Sequence, residues 1–228
     1  MKFMWFIAPA TTLSSFESTW ESAPDRWQPP GDVIRWVRSL AAQGNTDFFG
    51  ARSAFAAIEE LWIASDDPAV SSRARSEIER GLGGALGGIV DSASSLLMLV
   101  EDRVAIEGPE CIGSGGIRQF AMARRKSGLT HEAFVDHWRN IHAPIVRNNP
   151  TLSRYVQNRV VRVEGDEPFF DGMSELSFID ADAARQFCNS TSYLEVEIKL
   201  DAPKFVDIST VTATLVDRQK EVPLKRLT

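Results

Sequence analysis

An internal repeat is the feature that most limits how this chain of 228 residues can fold. Phe16 and Trp20 recur 118 positions later as Phe134 and Trp138, and the spacing of four places each pair on one face of a helix. Other landmarks recur in the same order at offsets of 115 to 121: PDRWQPP at 24–30 with PIVRNNP at 144–150, RWV at 35–37 with RYV at 154–156, FF at 48–49 with FF at 169–170, EL at 60–61 with EL at 175–176, and DR at 102–103 with DR at 217–218. A duplicated domain explains such an ordered series better than chance.

The boundary between the two copies is predicted in GPECIGSGGIR, residues 108–118, whose glycine content is typical of a linker. We therefore expect residues 1–110 to form a degenerate repeat and residues 111–228 to form a second repeat. The first copy also carries a glycine-rich insertion, GLGGALGG at 81–88, without a counterpart in the second. No Lys-Ser or Lys-Thr follows this insertion, which excludes a phosphate-binding nucleotide loop.

Each copy is predicted to follow the order strand, helix, strand, strand, helix, strand, which is the ferredoxin-like (βαββαβ) arrangement of an α+β fold. In the second copy, Thr130 is expected to cap a helix that runs to about Asn140 before Pro144 interrupts it. The strands there are IRQFAMARR, SRYVQNRVVRV, GMSELSFID and STVTATLVDR, and the second helix is ADAARQFCNS. The first copy is expected to contain a shortened helix at 16–21 and another at 69–80.

Two four-stranded sheets, each with one bare apolar face, must bury that face against another element. The economical arrangement places the two copies face to face within one chain, as an intramolecular α+β barrel that imitates a dimer. A pocket between the two sheets is then expected.

The composition excludes several classes of partner. The formal charge is −6, from 31 acidic and 25 basic residues without long single-sign runs, so no footprint for nucleic acid or an anionic membrane is present. No stretch approaches the roughly 20 apolar residues of a membrane helix. Cys111 and Cys188 are the only cysteines, and the opening MKFMWFIAPATTL lacks the pattern of a signal peptide, so we expect a reduced, cytoplasmic protein.

Residues 129–158, LTHEAFVDHWRNIHAPIVRNNPTLSRYVQN, resemble the EthD domain of the dimeric α+β barrel superfamily. The residues that carry the resemblance are Phe134, Trp138, His142, Ala143, Pro144, Leu152, Tyr155 and Asn158. A weaker match through Asp180, Phe187 and Asp201 to Phe205 extends the resemblance to about residues 117–218. Members of this family usually carry one such domain and dimerise, so the tandem chain resembles a fused dimer, and two fused barrels could associate as a homodimer.

The resemblance implies a role in the metabolism of aromatic or polyketide-like small molecules. The superfamily includes cofactor-free cyclases, decarboxylases, monooxygenases and muconolactone-type isomerases. We therefore expect a small aromatic substrate and no cofactor. GxSxG, flavin and nicotinamide fingerprints and CxxC pairs are absent from the sequence, which agrees with this expectation.

All three histidines lie in the second copy, which favours a single working site there. His142 is expected just after the helix, as a catalytic acid or base, because imidazole titrates near neutral pH; the alternative is a structural cap on helix carbonyls. His137 is a candidate for substrate binding, with a partly exposed helix position as the alternative, and His131 is expected to be solvated. Spacings of six and five do not share a helix face and HExxH is absent, so no metal site is predicted.

The strand RYVQN supplies further candidates. Tyr155 is a second candidate catalytic residue because a phenol can bind an oxyanion or a carboxylate. Arg154 and Asn158 are candidates for substrate binding, the former by a bidentate contact to an acid group. Alternation along the strand places Tyr155 and Gln157 on one face and Arg154 and Asn158 on the other.

Three tryptophans complete the set of candidate substrate-binding residues. Trp138 follows His137 on the predicted helix, Trp36 is the repeat counterpart of Tyr155, and Trp5 lies on the first predicted strand. Trp36 and Trp5, together with Phe120 and Met122, could line an aromatic pocket, although most such side chains in proteins simply belong to the core.

These features predict a cofactor-independent lyase that decarboxylates, or cyclises and dehydrates, a phenolic, aromatic or polyketide-like molecule. His142 would be the acid or base, and Tyr155 and an arginine would orient the substrate. The alternatives are a cofactor-free monooxygenase and a non-catalytic accessory or binding protein of an aromatic degradation pathway.

Overall fold

A computed structural model describes residues 1–42, 53–113, 115–161 and 169–225. Within these ranges the chain divides into two compact units, the first built from residues 1–42, 54–100 and 218–225 and the second from residues 53, 101–113, 115–161 and 169–217. Two strands, Leu96–Ile106 and Val206–Glu221, have residues in both units, and each is described with the unit that holds its N-terminal part. Phe48 and Phe49 of the repeat lie outside the described residues. The units are defined by contacts in space, so the predicted repeat boundary between residues 110 and 111 stays a prediction.

The first unit contains a four-stranded antiparallel sheet in the order β4-β1-β3-β2. The strands are β1 Lys2–Ile7, β2 Val33–Ala41, β3 Ala57–Ile63 and β4 Leu96–Ile106, and the helices are α1 Leu13–Arg26 and α2 Pro68–Leu86, the latter followed by a 3-10 turn at Gly87–Ile89. All six residues of β1 are buried, as expected for a central strand with both faces covered.

Both helices of the first unit are longer than predicted. Helix α1 is not shortened to 16–21 and continues past Pro24 to Arg26. Helix α2 incorporates most of the glycine-rich insertion instead of ending at residue 80. Ile78, Leu82 and Leu86 recur every four residues and are fully buried, so tertiary packing stabilises a helix end that glycine propensity disfavours.

The second unit contains a sheet with the same order, β8-β5-β7-β6, again antiparallel. Its strands are β5 Ile117–Arg125, β6 Arg154–Val160, β7 Gly172–Phe178 and β8 Val206–Glu221, and its helices are α3 His131–His137, α4 Ala143–Val146, α5 Ala181–Cys188 and α6 Ala202–Phe205. The predicted α+β class and the order of the strands and main helices are confirmed. The pairing of the two repeats as a barrel stays a prediction.

The first helical stretch of the second unit departs from the prediction at its C-terminal half. Thr130 is the N-cap as predicted, since its side chain accepts a bond from the Ala133 N–H at 3.1 Å. The helix does not end near Asn140 but passes through a π-helical turn, Trp138–His142, into α4. Pro144 does not interrupt it, because Pro144 stands in the first turn of α4, where no N–H is required of it.

A second π-helical segment, Ser192–Asp201, leads directly into α6. It joins α5 to β8 and was not predicted. Tyr193 of this segment is buried and packs on Phe187 of α5 with ring centroids 4.7 Å apart, which anchors the segment to the core of the unit. In the described parts of the chain, no helix has the length and apolar character needed to cross a membrane.

Candidate functional site

Two histidines share one buried carboxylate in the second unit. The Nδ1 atom of His142 lies 2.9 Å from Oδ2 of Asp201, and Nε2 of His137 lies 3.1 Å from Oδ1 of the same side chain. Asp201 is 1% exposed and ends the π-helical segment before α6. Lys204, which is largely exposed, approaches Oδ1 at 3.5 Å. We call His137, His142 and Asp201 the His–Asp cluster.

The π-helical turn is what brings the two histidines to one carboxylate. Residues five apart on a regular α-helix lie roughly 140° apart around the axis, so the sequence predicts that His137 and His142 do not share a face. Hydrogen bonding from residue i to i+5 widens the turn, and the N–H of Ala143 accordingly bonds the carbonyl of Trp138. The prediction of separate faces was therefore wrong, as was the placement of His142 after the helix.

Phe205 of α6 packs against both imidazole rings. The ring of His137 stacks on it with centroids 4.7 Å apart, and the ring of His142 is tilted against it at 5.1 Å. Phe205 is itself buried and packs on Phe134 of α3. The orientation of each imidazole is therefore fixed by one hydrogen bond and one aromatic contact.

The charge of Asp201 decides how the protons of the cluster are arranged. Burial raises the pKa of this carboxyl, but the hydrogen bonds and charges of His142 and His137 outweigh burial and hold the pKa at about 2. Asp201 is thus an acceptor at neutral pH, so each facing ring nitrogen carries a hydrogen. No described residue bonds Nε2 of His142, and its side chain is 12% exposed, so this nitrogen is free to exchange a proton.

Tyr155 lies on β6 beneath the same helical stretch. Its hydroxyl accepts a bond from Trp138 Nε1 at 2.7 Å and lies 3.4 Å from Oγ of Ser174, while Nε2 of Gln157 bonds the Trp138 carbonyl at 2.9 Å. Burial raises the pKa of Tyr155 to about 12, although hydrogen bonds from Ser174, Gln157 and Trp138 oppose the shift. The phenol therefore keeps its proton at neutral pH and can donate it in a hydrogen bond.

Glu197 is a buried carboxyl of the second π-helical segment. It is 3% exposed, and its Oε1 atom has no hydrogen-bond partner in the described part of the chain. Burial, together with the negative charge of Asp201, raises the pKa of Glu197 to about 8. The negative charge of an ionised Glu197 would also raise the pKa of Tyr155, so the two side chains interact electrostatically. At neutral pH, Glu197 is a carboxylic acid rather than a carboxylate.

The other two candidates on β6 take part in structural contacts. Arg154 pairs with Glu107 at 3.2 Å and Glu110 at 3.7 Å, in the stretch that follows β4. Asn158 is fully buried, and its amide nitrogen lies 3.3 Å from the Met173 carbonyl. Neither side chain is hydrogen-bonded to the His–Asp cluster, and strand alternation directs both away from Tyr155.

The remaining aromatic candidates belong to the first unit. Trp36 is buried and donates from Nε1 to Glu59 at 2.7 Å, and Trp5 lines a separate cavity in that unit. The four candidates that the structure brings together are thus His137, Trp138, His142 and Tyr155. His131 is buried and bonded to Asp171 at 3.1 Å, so the expectation that it is solvated was wrong.

Sequence reasoning missed Glu197 and did not assign a role to Asp201. Glu197 lies in SYLEVEIKLD, where apolar and charged residues alternate and give no helical period. The sequence signals were that the EthD resemblance extends to Asp201 and Phe205, and that Glu197 precedes Asp201 by four residues. In the described ranges, no three His, Cys, Asp or Glu side chains are arranged to hold a metal ion.

The stretch that carries the His–Asp cluster, Tyr155 and Glu197 also matches a known domain family. Residues 126–209 match the EthD domain. The resemblance that residues 129–158 predict is therefore confirmed, and the EthD region, residues 126–209, includes the two π-helical segments. No curated protein matches the sequence of this chain.

Solved structures resemble the chain over almost its whole length. An anthrone oxidase-like protein is 12% identical, with 96% of this chain and 92% of that chain covered at a TM-score of 0.61. A DypB variant of Rhodococcus jostii in complex with heme is 9% identical, with 95% and 93% covered at a TM-score of 0.56. An EthD family protein from Bacillus halodurans is 25% identical, covering 44% of this chain and 95% of that chain at a TM-score of 0.38. Because the first two are only 12% and 9% identical to this chain, they show a similar fold alone.

Proposed function

We propose that the chain is a cofactor-independent lyase that acts on a phenolic, aromatic or polyketide-like small molecule, with His142 as acid and base. The observation that carries the proposal is the 2.9 Å bond between His142 Nδ1 and Asp201 Oδ2. A carboxylate that fixes the proton on one ring nitrogen leaves the other nitrogen as the site of proton transfer. The EthD match supports small-molecule chemistry for the region that contains this bond.

Decarboxylation of a phenolic acid needs only proton transfer. The ring carbon that bears the carboxylate takes a proton from the His142 imidazolium, the bond from this carbon to the carboxylate breaks, and carbon dioxide leaves. The electron pair of the broken bond restores the aromatic ring. No electron enters or leaves the reaction, so no redox partner is required. Asp201 orients the imidazole that donates the proton.

Tyr155 and Glu197 are suited to hold the oxygen atoms of such a substrate. Both carry a proton at neutral pH, since burial raises the pKa of Tyr155 to about 12 and that of Glu197 to about 8. Neutral donors in a buried site stabilise a developing phenolate or enolate without a competing charge. The anionic Asp201 and the neutral Glu197 form a pair of carboxyls with separated pKa values, a pattern typical of acid–base sites.

Cyclisation with loss of water would use the same groups. His142 Nε2 would remove a proton from a substrate carbon next to a carbonyl, and this carbon would form a bond to the carbon of a second substrate carbonyl, whose oxygen would take a proton from Tyr155 or Glu197. The deprotonated Tyr155 or Glu197 would then remove a second proton from the same carbon, a carbon–carbon double bond would form, and the hydroxyl would leave as water with the proton held by His142. Both reactions use the same side chains, so both belong to the proposal.

The proposal keeps the fused-dimer architecture predicted from the repeat. Both units have the strand order that a ferredoxin-like repeat requires, which supports pairing of two related sheets within one chain. Association of two chains as a homodimer, and a small aromatic molecule as the partner, are part of the same proposal.

A cofactor-free monooxygenase is the second candidate function. The fold likeness to an anthrone oxidase-like protein favours it. His142 would then deprotonate an activated CH₂ group, and the carbanion would react with dioxygen. One oxygen atom would become the carbonyl of the product and the other would leave as water. Consumption of oxygen distinguishes this reaction from both lyase reactions.

The test compares the wild type with His142→Ala and with Lys199→Ala, an exposed residue on the Ser192–Asp201 segment that serves as the control. Hydroxybenzoic and hydroxynaphthoic acids, a linear polyketide mimic and anthrone are supplied with and without oxygen. Products, carbon dioxide release and oxygen uptake are measured. We expect turnover without oxygen uptake, reduced roughly 100-fold in His142→Ala and unchanged in the control.

Three outcomes would contradict the proposal in different ways. Turnover that survives in His142→Ala removes this residue from the mechanism. Tight binding of an aromatic acid without any product favours the accessory or binding protein. Oxygen uptake with the wild type, abolished in His142→Ala, selects the monooxygenase.

A further inference from the structure

A cavity of about 460 Å³ lies in the first unit, lined by β1, α2, β4 and the loop between α2 and β4. Its volume falls within the range of small-molecule sites. Trp5 of β1, which is 7% exposed, and Leu97 of β4 supply apolar surface, and Ser92 and Ser95 supply hydroxyls. All of these residues belong to the first unit, so the cavity is separate from the His–Asp cluster.

One face of α2 turns toward this cavity. Arg75, Glu79, Gly83 and Gly87 all line it and recur every four residues, from the middle of the helix to its C-cap. The two charged residues thus lie one to three turns before the glycines. The glycine-rich insertion of the first repeat, which has no counterpart in the second, forms the part of the helix nearest to Trp5.

The glycines of the insertion differ in whether packing or backbone geometry requires a glycine at their position. At Gly81 a Cβ would lie 1.9 Å from Trp27 Nε1, so packing requires glycine there, and Gly87 has a φ of +61°. At Gly83 a Cβ would make only an ordinary contact with the Trp5 ring at 3.5 Å, and at Gly84 it would meet nothing within 4 Å. Glycine within a helix is destabilising relative to alanine. At position 83, neither packing nor backbone geometry requires a glycine. The absence of a side chain at this position leaves the space over Trp5 open.

Arg75 supplies a cation at the rim of the same cavity. Its Nε donates to Glu79 Oε1 at 3.1 Å, which holds the guanidinium in place. Within the described ranges, the terminal nitrogens of Arg75 make no hydrogen bond. A guanidinium anchored through Nε presents two parallel donors, the geometry that fits a carboxylate. The side chain is 36% exposed, so a ligand can reach it.

We infer that this cavity is a second small-molecule site, which binds a planar aromatic molecule with one carboxylate. The ring lies against the Trp5 indole in the space that Gly83 leaves open, and the carboxylate takes two hydrogen bonds from Arg75. The inference uses only residues of the first unit and does not rest on the chemistry proposed for His142.

The test titrates naphthoate into the full-length protein and follows the indole N–H signal of Trp5 by nitrogen–proton NMR. Trp5→Phe identifies the signal. We expect a saturable shift of this signal in the wild type. Gly83→Leu, which fills the space over the indole, should abolish the shift, and Arg75→Gln should weaken binding at least tenfold. Naphthamide, which keeps the ring but lacks the charge, should also bind at least tenfold more weakly.

Gly84→Leu is the matched control, since Gly84 lies on the same helix, is exposed and does not line the cavity. It should bind naphthoate as the wild type does. A folded wild type whose Trp5 signal does not respond overturns the inference, as does a Gly83→Leu variant that binds normally. Shifts confined to the EthD region would also overturn it while leaving the proposed function intact. Conversely, loss of activity in His142→Ala with a normal Trp5 response would leave the second site standing.

Discussion

The Nδ1 atom of His142 and the Oδ2 atom of Asp201 lie 2.9 Å apart, although 59 residues separate them in the chain. His137 bonds the other oxygen of the same carboxylate at 3.1 Å. One buried anion therefore orients two imidazoles, and on His142 it leaves Nε2 without a hydrogen-bond partner among the described residues.

Asp201 should stabilise the fold at neutral pH and lose this effect in acid. Its pKa falls from an ordinary 3.8 to about 2, so the contribution is present above about pH 4 and is lost as the pH falls toward 2. The shift corresponds to about 2 kcal/mol. Urea unfolding at several pH values should show this component in the wild type and not in Asp201→Asn. Asp182→Asn, at an exposed position, should unfold like the wild type, and equal acid sensitivity of all three proteins would refute the prediction.

Glu197 should have the opposite effect on stability. Its pKa rises from an ordinary 4.5 to about 8, so the folded state holds a proton that the unfolded state has released between these pH values. The free energy of unfolding should therefore fall as the pH rises through this window, by up to about 1.4 kcal/mol per pH unit. Glu197→Gln stays neutral and should become more stable than the wild type near pH 8.

Urea unfolding between pH 5 and 8 measures this difference. Glu195→Gln, at an exposed position on the same segment, is the control and should follow the wild type. A constant difference between wild type and Glu197→Gln across this range would mean that Glu197 is ionised throughout.

Glu59 of the first unit should be needed for folding. Its carboxylate accepts from Trp20 Nε1 at 2.6 Å, from Trp36 Nε1 at 2.7 Å and from Arg38 at 2.8 to 3.0 Å, and neither charged side chain is exposed. Glu59→Ala leaves a buried guanidinium unpaired and should cost about 3–5 kcal/mol. Glu79→Ala removes a half-exposed pair and should cost less than about 0.5 kcal/mol. Similar denaturation midpoints for the two variants would contradict this prediction.

Gly172 should be required for the packing beneath the candidate site. A Cβ at this position would lie 2.6 Å from the Trp138 ring and 3.0 Å from that of Phe134. Gly172→Ala should therefore displace the indole that bonds Tyr155 and destabilise the protein by about 1–3 kcal/mol. Gly84→Ala meets no atom within 4 Å and should instead stabilise α2 by about 0.5–1 kcal/mol. Thermal unfolding compares the two, and a stable Gly172→Ala would show that Trp138 can move freely.

Much of the fold follows from local patterns in the sequence. The repeat predicts the same strand order in both halves, alternation identifies the strands, and Thr130 identifies the start of α3 through its cap. These features depend on residues close together in the chain, which is why a single sequence reveals them. The EthD resemblance likewise directed attention to His142 and Tyr155, which lie in the candidate site.

Helix ends were the part of the fold that local patterns did not predict. Helix α2 continues to Leu86 because Leu82 and Leu86 are buried in the core, although the glycines around them favour an earlier end. Pro144 was expected to interrupt a helix that in fact continues, since a proline in the first turn of α4 needs no N–H.

The sequence by itself determined the α+β class, the order of the strands and the start of the helix that holds His137. Only the tertiary structure decided that His137 and His142 meet at Asp201 and that Glu197 is buried where its charge acts on Tyr155. A π-helical turn has no period of its own in the sequence, and it alone moves residues five apart onto one side of a helix. The pKa values of Asp201 and Glu197 depend in turn on burial and on partners that are distant in the chain, so they arise from packing.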